Sequence, residues 1–282
     1  MRALRSTIFA ILVLAALLCA AGCTGTGPGT ATPTPTAAMT TTAPAAELTV
    51  FAAASLKDAF TECGRLFEAN HTGTKVVFNF DGSQVLRTQL QQGAYADVFA
   101  SANTQQMNLS KGDGTIFNDT VKLFVHNRIA LLVPAANPAK ITGLKDLANP
   151  GVKVVIGTPD VPVGGYALQL LNKTVNDPAY GPDFKAKVLA NVVSQETNVN
   201  QLATKIVLGE ADVGIAYASD VPAAQLDKVN VIELPAGYAI VADYPIAVVK
   251  ETKDRAAAQT FIDFVLSPPG QQTLAHYGFA PV

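Results

Sequence analysis

From Leu48 onward the apolar positions alternate between short continuous runs and stripes at helical spacing. Residues 48 to 53 form a short apolar run that predicts a buried strand. Leu56, Ala59, Phe60, Cys63, Leu66 and Phe67 then recur at three- and four-residue intervals, which leaves Lys57, Asp58, Glu62 and Arg65 for solvent and predicts an amphipathic helix. The succession repeats, with a strand at 75 to 80, a helix after Ser83, a strand at 97 to 101 and a helix from near Asn103. Strands alternating with helices imply a mostly parallel sheet covered on both faces.

A second series follows, with strands expected at 152 to 157, 188 to 194, 211 to 217 and 229 to 234, and helices near 165 to 175 and 198 to 209. That is more than one sheet is expected to hold. The long apolar stretches 122 to 133 and 239 to 249 suit either strands crossing between two lobes or the edge strands of a single domain. Two helices, around Arg255 to Leu266 and after Pro268-Pro269-Gly270, close the pattern.

Ahead of this region the chain carries Arg2 and Arg5, an apolar run from Ile8 to Leu18, and small residues ending at Ala20-Ala21-Gly22-Cys23. The run is shorter than the roughly 18 to 20 residues that span a bilayer, so 1 to 22 reads as a secretory signal peptide rather than a permanent membrane helix. The segment ending at Cys23 resembles a lipoprotein signal box, with Ala20 where Leu is commoner, which makes Cys23 the expected lipidation site. Residues 24 to 46 contain only Thr, Ala, Pro, Gly and one Met, too little apolar surface to offset chain entropy, and form a tether with Cys23 at its start. Cys63 lies on the apolar stripe and reads as core.

Composition narrows the partners. Lys and Arg total 20 against 22 for Asp and Glu, so no basic excess exists to neutralise a nucleic-acid backbone. Signatures of common enzymes are missing from the sequence: HExxH, GxSxG, a phosphate-binding Walker loop and a CxxC pair. His71, His126 and His276 are far apart, none with a metal-ligand neighbour at useful spacing.

More informative are small-residue turns that lead from strand into helix. Ala52-Ala53-Ala54-Ser55 and Asp81-Gly82-Ser83 each end in a hydroxyl, and Val161 to Tyr166 and Thr197-Asn198-Val199 are two further turns of the kind. A helix N-terminus offers unpaired N–H groups and partial positive charge, so such turns at the carboxyl ends of parallel strands could face one anion. The alternative is that Ser55 and Ser83 cap their helices, Ser55 with Asp58 at capping-box spacing.

The segments VFAAASL (50 to 56), FDGSQVLRTQL (80 to 90), GAYADVFASA (93 to 102), PDVPVGGYA (159 to 167), DVGIAYASDV (212 to 221) and YPIAVV (244 to 249) together resemble the periplasmic molybdate-binding proteins of ABC importers, in order and spacing. The resemblance implies an α/β, two-lobed type II periplasmic-binding-protein fold, with lobe one from 47 to 125 plus 246 to 282 and lobe two from 126 to 245. It also implies an extracytoplasmic, membrane-anchored monomer that captures molybdate or tungstate without a cofactor or catalytic residue and hands it to a permease driven by a cytoplasmic ATPase. Carried onto this chain, the oxyanion contacts fall on the hydroxyl and backbone N–H of Ser55 and Ser83, the backbone N–H of Val163 and Val199, and the Tyr217 hydroxyl. No side chain is expected to ligate the metal atom directly.

Every donor in that set is neutral. An uncompensated buried charge would cost of order tens of kcal/mol in an idealised apolar medium. About seven hydrogen bonds to a charged acceptor, each worth roughly 1.5 to 3 kcal/mol, together with helix dipoles, can hold a dianion. The sequence departs from the family in having Asp81 where a small neutral residue is commoner and Asn103 in place of an Asp. The readings that compete are a sulfate- or phosphate-type ligand, a protonated phosphate finding its hydrogen-bond acceptor in Asp81, and an extracytoplasmic α/β hydrolase, which would need a base beside Ser55 or Ser83.

Overall fold

The structure, a computed structural model, describes residues 46 to 282 except Pro222. The expectations for the signal peptide at 1 to 22, for Cys23 and for the tether up to residue 45 lie outside the described residues. The described residues group as one compact unit.

The first strand, β1 (Ala46–Ala53), leads through a 3-10 turn at Ala54–Leu56 into α1 (Lys57–Asn70). The apolar stripe read from the sequence is the buried face of α1, where Ala59, Phe60, Cys63 and Phe67 lie inside while Lys57, Asp58 and Arg65 are exposed. Phe261 meets Phe60 and Phe67 edge-on, with ring centroids 6.1 and 5.3 Å apart. Burial pushes the Cys63 thiol up to about 12, as fits a core side chain.

Next come β2 (Thr74–Asp81), α2 (Ser83–Gln91), β3 (Val98–Ala100) and α3 (Thr104–Asp113), with β1 pairing parallel to both β2 and β3. The second series is β5 (Val154–Gly157), α4 (Pro162–Thr174), α5 (Phe184–Ala190), β6 (Val192–Glu196), α6 (Val199–Val207), β7 (Val213–Tyr217) and β8 (Val229–Glu233). Here β5 pairs parallel to β6 and β7. Helices α7 (Arg255–Leu266) and α8 (Pro268–His276) come last.

Two long strands join the series, β4 (Lys122–Pro134) and β9 (Val241–Val248). β4 pairs antiparallel with β9 over Lys122 to Arg128, then with β7 and β8 over Ile129 to Pro134. β9 in turn pairs with β3. The expectation that the elements exceed one sheet is therefore corrected: a single path runs β2-β1-β3-β9-β4-β7-β5-β6, and β4 belongs to both halves. A 13-residue strand is long enough to pair with different neighbours along its two ends, which is why its apolar run continues unbroken by a turn.

Two boundaries also differ from the sequence pattern. Residues 188 to 190 close α5 rather than open a strand, because Phe184 and Val188, four apart, form one buried helical face. α4 begins three residues early, at Pro162, since a proline at the first helical position loses no hydrogen bond and already has helical φ.

Candidate functional site

Five strand ends meet where the two half-sheets face each other. Ser55 lies in the 3-10 turn after β1, Ser83 is the first residue of α2 after β2, and Val163 is the second residue of α4 after β5. Val199 opens α6 after β6, and Tyr217 ends β7. All five border one small pocket, the first two from the β2-β1-β3 side and the others from the opposite half. Ser83, Val163, Val199 and Tyr217 are buried, and Ser55 is partly exposed. The N–H groups in the first turns of α2, α4 and α6 have no partner within their own helices, so three helix N-termini converge on the pocket.

Neither serine is a helix cap. Gly82 and Leu56 occupy the N-cap positions of α2 and α1, and neither cap bond comes from a side chain. The Ser83 hydroxyl instead accepts the Ala102 N–H at 3.0 Å, and the Ser55 hydroxyl lies 2.9 Å from that of Tyr244. By contrast Asn198 and Asn103 are caps, their side-chain oxygens accepting from Gln201 and Gln106 N–H at 3.1 and 2.9 Å. Asn103 thus caps α3 although it departs from the family's Asp.

The Tyr217 hydroxyl is fully buried and has no hydrogen-bond partner among the described residues. A buried hydroxyl left this way costs about 1 to 3 kcal/mol. Burial also raises its pKa well above the ordinary phenol value, so it stays a donor.

Asp81 is the carboxylate nearest these residues in sequence, and it is engaged elsewhere. Its Oδ1 accepts from Gly82 N–H at 2.7 Å and from the Asn198 side-chain amide at 2.9 Å. The second bond joins the two halves. Gln84 donates to the Thr197 carbonyl at 2.8 Å and Gln106 to the Asp160 carbonyl at 3.1 Å, also from one half to the other. The approach is close enough that a Cβ on Gly82 would stand 2.5 Å from the Thr197 carbonyl oxygen, which explains glycine there. On α4, a Cβ on Gly164 would meet the Gly157 carbonyl oxygen at 2.5 Å, so that glycine lets the helix N-terminus reach the end of β5.

The sequence reading missed the groups behind Ser55. Asn127, in β4, donates from Nδ2 to Tyr244 Oη at 3.2 Å and to Ser219 Oγ at 2.8 Å. A usable signal was present: Asn127 and its neighbours His126 and Arg128 interrupt an otherwise apolar run. Tyr244 carried no such signal, because an aromatic residue in a strand pattern reads as core.

A two-lobed α/β fold with a pocket between its halves at the carboxyl ends of strands defines a receptor of the type II periplasmic-binding-protein class. The chain belongs to the bacterial extracellular solute-binding protein family, whose pattern matches residues 48–280. It is 37% identical over 236 residues to the molybdate-binding protein ModA of Mycobacterium tuberculosis (strain H37Rv), covering 84% of this chain and 85% of that one. It is 31% identical over 240 residues to the putative ABC transporter substrate-binding lipoprotein YvgL of Bacillus subtilis, covering 82% and 85%. Among solved structures, the substrate-binding domain of a putative molybdenum ABC transporter from Clostridium difficile superposes with a TM-score of 0.63 at 31% identity, covering 84% of this chain and 99% of that one. These relatives are binding proteins.

Proposed function

We propose that the protein captures molybdate or tungstate outside the cytoplasm and delivers it to an ABC permease driven by a cytoplasmic ATPase. The anion is held by the hydroxyl and N–H of Ser55 and Ser83, by the N–H groups of Val163 and Val199, and by the Tyr217 hydroxyl. The observation that carries this reading is Tyr217: a fully buried hydroxyl without a hydrogen-bond partner among the described residues, at a pocket where two serine hydroxyls and three helix N-termini also converge. Such an array is complementary to a small acceptor-rich anion. Among the described residues no Lys, Arg, His, Asp or Glu lines the pocket, so in this reading dipoles and hydrogen bonds balance the charge. The relatives named for molybdate, at 37% identity, support the ligand class.

In this reading lobe one comprises 47 to 125 plus 246 to 282 and lobe two 126 to 245, and the protein works as a monomer anchored through lipid on Cys23. A relative named as a lipoprotein supports the anchor. Neither serine hydroxyl hydrogen-bonds an imidazole or carboxylate among the described residues, which weighs against the hydrolase reading. Ser55 Oγ meets Tyr244 and Ser83 Oγ meets Ala102 N–H.

Calorimetric titration with molybdate, tungstate, sulfate and hydrogen phosphate tests the reading. Molybdate and tungstate should bind far more tightly than the other two, and equal or tighter sulfate binding would refute it. In the same titration Tyr217→Phe should lose one hydrogen bond to a charged acceptor and with it about ten- to 150-fold in affinity. Its unliganded melting temperature should hold or rise, because an unsatisfied buried hydroxyl is removed. Affinity within twofold of wild type would return Tyr217 to the core.

A further inference from the structure

We propose that Asn127 and Tyr244 are positioning residues that fix the Ser55 hydroxyl as a hydrogen-bond donor toward the bound oxyanion. The inference rests on the reading of the pocket given above and adds to it a second layer of polar groups behind Ser55.

The direction of each proton follows from the partners. Asn127 is 1% exposed, and its Oδ1 accepts the Arg128 N–H at 2.8 Å. Since a backbone N–H can only donate, the amide orientation is set: Oδ1 faces Arg128 and Nδ2 faces inward. Nδ2 has two hydrogens and spends them on Ser219 Oγ and Tyr244 Oη. Tyr244 is fully buried, and its oxygen therefore receives a hydrogen from Asn127.

The Tyr244 hydrogen must then go elsewhere, and the remaining partner of its oxygen is Ser55 Oγ at 2.9 Å. If Ser55 donated instead, the Tyr244 hydrogen would have only the neighbouring Tyr217 hydroxyl to turn to, which forms no hydrogen bond of normal geometry with it, and its bond would go unmade in a buried site at the usual cost. So Tyr244 donates, Ser55 Oγ accepts, and the Ser55 hydrogen is left for the pocket. Ser83 is fixed by the same logic through a shorter route, because Ala102 N–H donates to its oxygen at 3.0 Å. Both serines thereby present hydrogens to the pocket, which suits a fully deprotonated oxyanion better than one that carries its own proton.

The relay also ties the two halves together. Ser55 follows β1, Tyr244 and Asn127 sit on the crossing strands β9 and β4, and Ser219 lies just after β7. Chains of hydrogen bonds of this kind hold a donor in place before the ligand arrives, so less ordering remains when it binds.

A double-mutant cycle in the purified protein tests the proposal: wild type, Ser55→Ala, Tyr244→Phe and the double variant, each titrated with molybdate and each melted without ligand. Ser55→Ala should weaken binding about ten- to 150-fold and Tyr244→Phe about three- to tenfold. The double variant should stay within about twofold of Ser55→Ala, because Tyr244 acts only through the serine. A merely structural role would lower the melting temperature and leave the two affinity losses multiplicative; that result overturns the relay, as does unchanged affinity in Tyr244→Phe. Should Tyr244→Phe not fold, Asn127→Ala runs the same cycle, and multiplicative or absent effects overturn the relay equally. Tight wild-type binding with uncoupled variants defeats the relay alone. Failure of the wild type to bind molybdate, tungstate or sulfate defeats the reading of the pocket and the relay with it.

Discussion

Asp220, three residues beyond Tyr217, carries a buried carboxyl that the pocket does not use. Its Oδ2 accepts the Tyr217 N–H at 2.8 Å, and its Oδ1 has no partner among the described residues. Burial pushes its pKa up to about 8, against the opposing pull of that N–H, so the folded protein holds a proton near neutrality that an unfolded carboxyl releases near pH 4. Because the native state binds more protons between those values, the carboxyl's contribution to stability is full below about pH 4 and is lost as pH rises toward 8. Asp220→Asn keeps an acceptor for the Tyr217 N–H and cannot ionise. Denaturant melts of the two proteins at pH 5 and pH 8 should show wild type losing ground to the variant at the higher pH. An identical difference at both values would mean that the buried group carries no titrating proton. The residue scale thus separates two kinds of unpartnered oxygen: Tyr217 Oη, which borders the pocket, and Asp220 Oδ1, whose carboxyl holds a proton near neutrality.

The elements carry the site to the place where it can work. Parallel strands end together, and the helices that follow aim their N-termini at the same space, so the turns at Ser55 and Ser83 were legible as candidate anion contacts from spacing and small residues, while Val163 and Val199 entered only through the family resemblance. What spacing left open was whether the serines cap helices or face a ligand. The capping alternative fell to tertiary partners, Tyr244 and Ala102, which are 189 and 19 residues away in sequence. The stripe of α1 was legible for the same local reason, whereas α5 was misread because the apolar residues 188 to 190 are too few to separate a period of two from one of 3.6. Glycine at position 82 belongs to this scale too: its φ of −57° is open to any residue, and what a side chain there would meet is the Thr197 carbonyl of the other half and the Gln84 amide bonded to it. Gly82→Ala should therefore leave the unliganded melting temperature within a few degrees of wild type, provided the halves can part, and weaken molybdate binding by at least tenfold as the clash resists their approach. Unchanged affinity in that variant would show that the halves need not come this close.

At the scale of the molecule, the long strands β4 and β9 make one continuous sheet serve two halves, with the pocket between them. The composition and alternation of elements gave the α/β class, and the apolar stretches at 122 to 133 and 239 to 249 suggested crossing strands. The shared use of β4 was not legible, because pairing partners of a strand depend on register and not on its own residues. The cross-half bonds from Asp81, Gln84 and Gln106 likewise link positions 54 to 117 residues apart. Under the proposed function, lipid on Cys23 and the Pro- and Thr-rich residues 24 to 46 attach the protein to the membrane. Cys23→Ser should move the protein from the membrane fraction to the soluble fraction on immunoblot, and retention at the wild-type level would contradict lipid anchoring at that residue. The central claim is that an oxyanion sits among neutral donors from both halves. Anomalous diffraction from crystals grown with molybdate tests it most directly. The account predicts one molybdenum peak between Ser55, Ser83, Val163, Val199 and Tyr217, with oxygens in hydrogen-bond reach of all five. A peak at any other place, or one ligated by a carboxylate or imidazole, would contradict it.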